Sequence, residues 1–457
     1  MKYRITFIIA CVLIFLLKFP EPAGLHFTDA NNYIFISDLV QHGKVLYRDI
    51  HLDNFPLMMY LSIFYKTITF GSMQWFNMTV TVEKIAIAVL LYAIALRFWK
   101  KESTAFLVSM TFFFSYTAIA NTFQLGFYTT ILLILLAYYF TLDKRFILAG
   151  ICAACAVLIK AHSVFPVFGL FISLAYQYKW KSIQFVVAGL VTTLVVMLPT
   201  IVLALPQFID QTFGYGLVRM ALESKNEFYI MFAQYDFLIF ILLLWNLTLW
   251  KKNLFVAAAT ASTLVFFVFY RDIYYVYFCY FPLLGALGAG YLLETNLPFT
   301  KVVLPKAVYA TLFGFAIVFS LSTYMVGDRN MDKIPNEEKL FEAIKKENPD
   351  AIYGYSYVTN GISYLTGIRP YKDLYDITSP LFANNNIDRT AFTKEVMKTR
   401  TVILVDVLTS PDVTIYDDSI MATQLLKNNC TTTYKHMIKE DPSINAKRYM
   451  TVVRCYK

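Results

Sequence analysis

The chain has 457 residues, 58% of them hydrophobic, 17% aromatic and only 16% charged, with a formal net charge of +9 and a mean hydropathy of +0.54. Soluble domains carry about a quarter charged residues, so the composition excludes an ordinary soluble protein and indicates a polytopic membrane protein. Nucleic acid is excluded as a partner, because Lys and Arg stand in short clusters between apolar runs, the pattern of cytoplasmic loops.

Met1-Lys2-Tyr3-Arg4 leads an apolar run to Phe19. It lacks a small-x-small cleavage site and reads as an uncleaved signal anchor. A polar stretch, 20–55, follows, then a short apolar run, 56–70, that holds Lys66 and reads as a helix on the outer surface. A span needs about 20 apolar residues. With the first run at 3–19, spans are predicted near 81–99, 104–121, 126–142, 146–162, 164–178, 183–205, 228–250, 254–270, 273–293 and 307–327. With the N-terminus inside, the inner loops hold Arg97, Lys100 and Lys101, Lys144 and Arg145, Lys179 and Lys181, Lys251 and Lys252, and Lys301 and Lys306. The outer turns hold few cations, mainly Arg271, and this asymmetry fixes the orientation.

The tail from Gly327-Asp328-Arg329-Asn330 onward is polar and long enough for a small domain. Glu337 to Lys346 is predicted as an amphipathic helix, and Ala351 to Tyr357, Thr401 to Asp406 and Tyr449 to Cys455 as strands. The fold class is thus a polytopic α-helical membrane protein of about eleven spans plus surface helices (1–327), with a small extracytoplasmic α/β domain (328–457). Cys11, Cys152, Cys155 and Cys279 lie in apolar segments and read as packing residues. Cys430 and Cys455, in the polar tail, can form a disulfide if that tail is outside the cytoplasm.

The stretch His26 to Pro56 is where chemistry is expected. It holds Asp29, Asp38, Asp49 and Asp53, with Arg48 next to Asp49. Asp29 reads as the N-cap of a short helix with Tyr33, Ile36 and Val40 on one face and Gly43 at its end. That structural reading accounts for Asp29 and Gly43. The chemical reading adds that a carboxylate facing a cavity under the loop, desolvated near the bilayer, gains basicity and can deprotonate an acceptor hydroxyl or amine. Transfer of a sugar from a phospholipid carrier also needs cations for the leaving phosphate. Lys160, His162, Arg219, Lys225 and Arg271 stand at the outer ends of other spans.

Asp29 followed by Tyr33, then Gly43, Tyr47-Arg48-Asp49 and Pro56, resembles the first external loop of the GT-C glycosyltransferases. The pattern is most similar to bacterial members of the dolichyl-phosphate-mannose protein mannosyltransferase and lipid A aminoarabinose transferase superfamily. Ile159-Lys160 is similar to the basic residue those enzymes keep near the carrier phosphate, and Tyr364-Leu365-Thr366-Gly367-Ile368-Arg369-Pro370 looks like a segment of their tails. The resemblance implies a polyprenyl-phosphate-sugar donor and an inverting transfer outside the cytoplasm, at the plasma (inner) membrane. It implies Asp29 as the base, Asp49 as the second catalytic carboxylate, and Tyr47, Arg48, Asp53 and Pro56 as the residues that shape the loop. The acceptor is a lipid, a polysaccharide or a protein. One departure is the next external turn, Asn121-Thr122-Phe123-Gln124, which has no carboxylate where many relatives place one. A divalent metal stays open, since His51 and Asp53 are too few ligands to define a site.

Asp236 lies inside the 228–250 span, where a carboxylate is either functional or bonded to a neighbouring helix. Glu83 and Lys84 read as an interfacial ion pair. The rival functions are a transporter or flippase of lipid-linked glycans, which needs charges at mid-membrane, and a membrane scaffold that presents the tail.

Overall fold

A computed structural model describes residues 2–214, 225–270, 273–294, 306–328, 333–373, 388–409, 414–416, 422–441 and 446–456. Lys2–Lys18 forms α1, and the first loop carries two short helices, α2 (Ala30–Gln41) and α3 (Pro56–Ile68). An apolar bundle follows: α4 (Met73–Trp99), α5 (Glu102–Phe113), α6 (Tyr116–Ala120), α7 (Phe127–Leu142), α8 (Phe146–Ile159), α9 (Val164–Tyr178) and α10 (Ile183–Ile209). It continues with α11 (Lys225–Tyr235), α12 (Phe237–Asn246), α13 (Leu254–Phe269), α14 (Tyr280–Glu294) and α15 (Lys306–Thr323).

Among the described residues, Met73–Trp99, Ala161–Gly214, Tyr275–Glu294 and Val308–Val326 are long and apolar enough to cross a bilayer. Lys225–Tyr235 and Phe237–Asn246, bent by 97°, add a fifth if they form one span. Helix length and composition therefore establish an integral membrane protein with fewer certain spans than the eleven expected. The difference lies in helices such as α7, α8 and α13, which are apolar but only 14 to 16 residues long, short of the roughly 20 that a bilayer core requires.

Two breaks in the bundle explain Asp236. It sits at the bend between α11 and α12 and accepts hydrogen bonds from the backbone N–H groups of Tyr116 (2.7 Å) and Thr117 (2.8 Å), and from the Thr117 hydroxyl. The carboxylate thereby satisfies donors at the start of α6, where the α5 helix has been interrupted. The bonded alternative holds for this residue.

The C-terminal region contains α16 (Glu337–Lys346), β1 (Ala351–Tyr353), α17 (Ser356–Thr366), α18 (Arg389–Val396), β2 (Thr401–Thr409), β3 (Thr414–Tyr416), α19 (Thr423–Asn429), β4 (Thr431–Asp441) and β5 (Ala446–Arg454). The strand order is β1-β2-β5-β4, with β3 also on β2. β1 runs parallel to β2, with Ala351 opposite Thr401, and the other pairs are antiparallel. A disulfide joins Cys430 and Cys455.

The strand expected over 351–357 ends early. Its alternating Tyr353, Tyr355 and Tyr357 read as period two, but Tyr353 closes β1 and Ser356 opens α17. The helix wins because its buried face has a partner remote in sequence. α17 runs beside α2 in the same direction: Asn31 Nδ2 donates to the Tyr357 carbonyl (2.6 Å), and Asn360 Nδ2 donates to Asn32 Oδ1 (2.8 Å). Gly361 makes the approach possible, since a Cβ there would stand 2.6 Å from Leu25 Cδ1 and 2.8 Å from Asn31 Nδ2.

Candidate active site

The first loop folds as a helix with a formed end. Gly43 (φ +90°) follows α2 in the left-handed region; its N–H donates to the Val40 carbonyl (3.0 Å), and that of Lys44 reaches Leu39 (3.1 Å). These two bonds complete a Schellman motif. Asp29 stands at the helix start, but its carboxylate accepts no bond from the first turn. It is exposed, and its charge acts on the phenol of Tyr357. Burial foremost pushes that phenol up to about 12. The carboxylate expected beneath the loop thus lies at its rim. Nearby, Arg448 lies 5.5 Å from the Phe27 ring and pairs with Asp406 (Nε to Oδ2, 2.7 Å).

Beyond α2 the loop is held by its backbone. Tyr47 is buried with φ +67°, an uncommon conformation for a residue with a side chain. Its hydroxyl donates to the Asn54 carbonyl (2.6 Å), its own carbonyl accepts from Gln211 Nε2 (2.8 Å), and Gln211 Oε1 accepts from Leu52 N–H (3.0 Å). Arg48 and Asp49 pair at 3.0 Å, and the guanidinium holds the Asp49 carboxyl down at about 2. Asp49 also accepts from Val45 N–H (2.8 Å), which closes a turn. Asp53 accepts from Asn54 Nδ2 (2.7 Å), and Pro56 opens α3 at its first position. Burial pushes the His51 imidazole down. Among the described residues no group of three or more His, Cys, Asp and Glu is arranged to hold a metal.

The expected cations separate. Lys160, at the end of α8, is buried under the loop and donates to the Tyr33 hydroxyl (3.1 Å) and to Asn54 Oδ1 (3.3 Å). Phe127 touches both it and His162: the Lys160 ammonium stands 5.0 Å from the ring, and the imidazole stacks on it at 5.3 Å. Lys225 is elsewhere, donating to the carbonyl of Val268 (2.9 Å) near the end of α13. Arg219 and Arg271 lie outside the described residues.

A second buried charged cluster holds Lys18 and Glu21, which sequence reasoning missed, beside Glu83 and Lys84, which it singled out. Lys18 pairs with Glu21 at 2.7 Å, both almost fully buried, and Glu21 accepts from the Thr122 hydroxyl (3.2 Å). Glu83 accepts from Gln124 Nε2 (3.2 Å) and from the hydroxyls of Tyr65 and Thr129, while the Lys84 ammonium donates to the Asn121 carbonyl. Glu83 and Lys84 thus turn to different partners instead of forming the expected interfacial pair. The turn Asn121 to Gln124, which has no carboxylate of its own, receives two, from the residues just after α1 and from α4. The signal in the sequence was the charged residues at the ends of apolar runs.

This arrangement spans the whole chain: a loop helix with an acid at its start, a lysine beneath it, and a C-terminal sheet region docked on its side. The crystal structure of ArnT from Cupriavidus metallidurans bound to undecaprenyl phosphate matches it with a TM-score of 0.62 at 14% identity, over 99% of this chain and 98% of that one. The chain has the fold of ArnT. The apo structure of ArnT gives a TM-score of 0.61 at 12% identity with the same coverage. No protein-family model and no curated protein matches the sequence. The GT-C resemblance read from the first loop is therefore met at the level of fold, and the ArnT fold places the loop, the bundle and the C-terminal sheet in one body plan.

Proposed function

We propose that the protein transfers a sugar from a polyprenyl-phosphate-linked donor to an acceptor outside the cytoplasm. The observation that carries this reading is Lys160, buried beneath α2 and bonded to Tyr33, one turn along the helix from Asp29. A buried ammonium suits the phosphate of a lipid-linked donor, and Asp29, exposed at the start of the same helix, suits an acceptor arriving from water. In the inverting step Asp29 takes the proton of the acceptor hydroxyl or amine. The freed lone pair attacks the anomeric carbon from the face opposite the phosphate, the carbon–oxygen bond to the phosphate breaks, and polyprenyl phosphate departs toward Lys160. Asp49, held by Arg48, maintains the loop.

The ArnT fold supports this reading, and the ArnT crystal structure carries undecaprenyl phosphate. The Cys430–Cys455 disulfide supports an oxidising side for residues 328–457, taken as a domain distinct from the transmembrane residues 1–327. Asp236, the mid-span carboxylate a transporter would use, is engaged in capping α6.

The deciding experiment is Asp29→Asn in purified protein with a polyprenyl-phosphate sugar and an envelope extract as acceptor. Transfer is expected to fall by about 10²- to 10⁴-fold with donor binding retained. Undiminished transfer would remove Asp29 from the mechanism, and absence of transfer by the unaltered protein with every lipid-linked sugar tested would remove the enzyme reading.

A further inference from the structure

Helices α8 and α10 start side by side at the end of the bundle away from the first loop. α8 runs 14 residues, about 20 Å, and ends at Lys160 beneath α2. α10 runs from Ile183 toward Gln211, which bonds the first loop. The two starts are in close contact. A Cβ on Gly150 would stand 2.2 Å from the Phe185 carbonyl oxygen, and the Phe146 ring lies 4.9 Å from that of Tyr178. This packing brings together Lys144 and Arg145, just before α8, and Lys179-Trp180-Lys181, just before α10.

The cations gathered there are not neutralised. Other basic residues at this end of the bundle have acids of their own: Arg97 takes Asp143, the residue beside Lys144, and Lys101 takes Glu294. Among the described residues Lys144, Arg145, Lys179 and Lys181 form no ion pair, and all four are exposed. Trp180, between two of the lysines, is 86% exposed, and Tyr176 is exposed beside it. Further along the two helices Ile147, Leu148, Ile183 and Val187 are exposed as well. Tryptophan and tyrosine concentrate at the level of lipid headgroups. Cations at that level, with rings among them and bare apolar side chains next to them, suit a phospholipid better than a soluble anion.

We propose that Lys144, Arg145, Lys179 and Lys181 form a binding site for a phospholipid whose headgroup carries two phosphates. Each loop holds one phosphate through charge-assisted contacts, Trp180 lies at the glycerol level, and the acyl chains run along α8 and α10. The two separate cation pairs favour such a headgroup over one with a single phosphate. In the orientation of the proposed function the site faces the cytoplasmic leaflet. It stands a helix length from Lys160 and does not depend on the transfer reaction.

The test is lipid binding to the full-length protein in detergent, with bound lipid counted by native mass spectrometry through a titration. Cardiolipin is the probe, phosphatidylglycerol the one-phosphate control and phosphatidylcholine the control without net charge. Cardiolipin is expected to bind about tenfold tighter than phosphatidylglycerol, and phosphatidylcholine without saturation. Arg145→Gln/Lys181→Gln, which takes one cation from each loop, should weaken cardiolipin binding by about tenfold or more, and each single replacement by part of that. Lys251→Gln/Lys252→Gln removes the same charge from another exposed loop and should leave the affinity within about twofold. Melting temperatures confirm that each variant is folded. No saturable cardiolipin binding, equal binding of phosphatidylcholine, an unchanged affinity in Arg145→Gln/Lys181→Gln, or an equal loss in the two double variants overturns the site. Phosphatidylglycerol binding as tightly as cardiolipin overturns the two-phosphate assignment, and displacement of cardiolipin by an equal concentration of inorganic pyrophosphate overturns the lipid assignment.

Discussion

Asn360 donates a hydrogen bond of 2.8 Å to Asn32, a residue 328 positions earlier, and both side chains are buried. This amide pair fastens the C-terminal region to the helix that begins at Asp29. Replacing Asn32 by Ala leaves the Asn360 donor without this acceptor and should lower stability by about 1–3 kcal/mol. The double replacement Asn32→Ala/Asn360→Ala should cost less than the sum of the singles, because the pair is coupled. Urea unfolding in detergent measures both.

Gly361 should tolerate no side chain. A Cβ at that position meets Leu25 and Asn31 well inside van der Waals contact, so Gly361→Ala forces α17 away from α2 at a cost of about 1–3 kcal/mol. Faster tryptic release of the C-terminal region is the expected readout.

Acid should loosen the same junction through His26. Its ring lies 4.9 Å from Phe123, its backbone bridges to Lys333, and burial foremost pushes its imidazole down to about 4. The unfolded chain takes up that proton near pH 6.5. Between those values the unfolded state binds more protons, so stability is full above about 6.5, falls as the pH drops, and levels off below about 4. The loss amounts to at most about 3 kcal/mol. Melting temperature against pH should show this slope, and His26→Gln should flatten it.

The Cys430–Cys455 bridge closes a loop of 25 residues. Its reduction should destabilise the C-terminal sheet by about 3 kcal/mol, seen as a lower melting transition in dithiothreitol that the Cys430→Ser/Cys455→Ser variant shows without reductant.

Local patterns carried much of the first loop. Gly43 marked a helix end because only a left-handed residue completes that motif, and the pairing of Arg48 with Asp49 follows from adjacency. Asp29 was legible as a helix start but not as an exposed residue, because exposure is set by how the loop packs on distant parts of the chain. The Lys18–Glu21 pair and the donors around Glu83 were equally hidden. Burying such charges requires partners such as Thr122 and Gln124 that lie far along the chain, and no short window of sequence contains them.

The side-by-side run of α2 and α17 also sets an order of assembly. A ribosome makes the first helix long before the second, so throughout synthesis Asn31 and Asn32 wait uncovered beside a bundle still being inserted. A nascent chain that stops before Ser356 would leave that flank bare to proteases at the membrane surface. Arrival of the late helix is then the event that seals the earliest loop, and completion of the polypeptide becomes a condition for its survival.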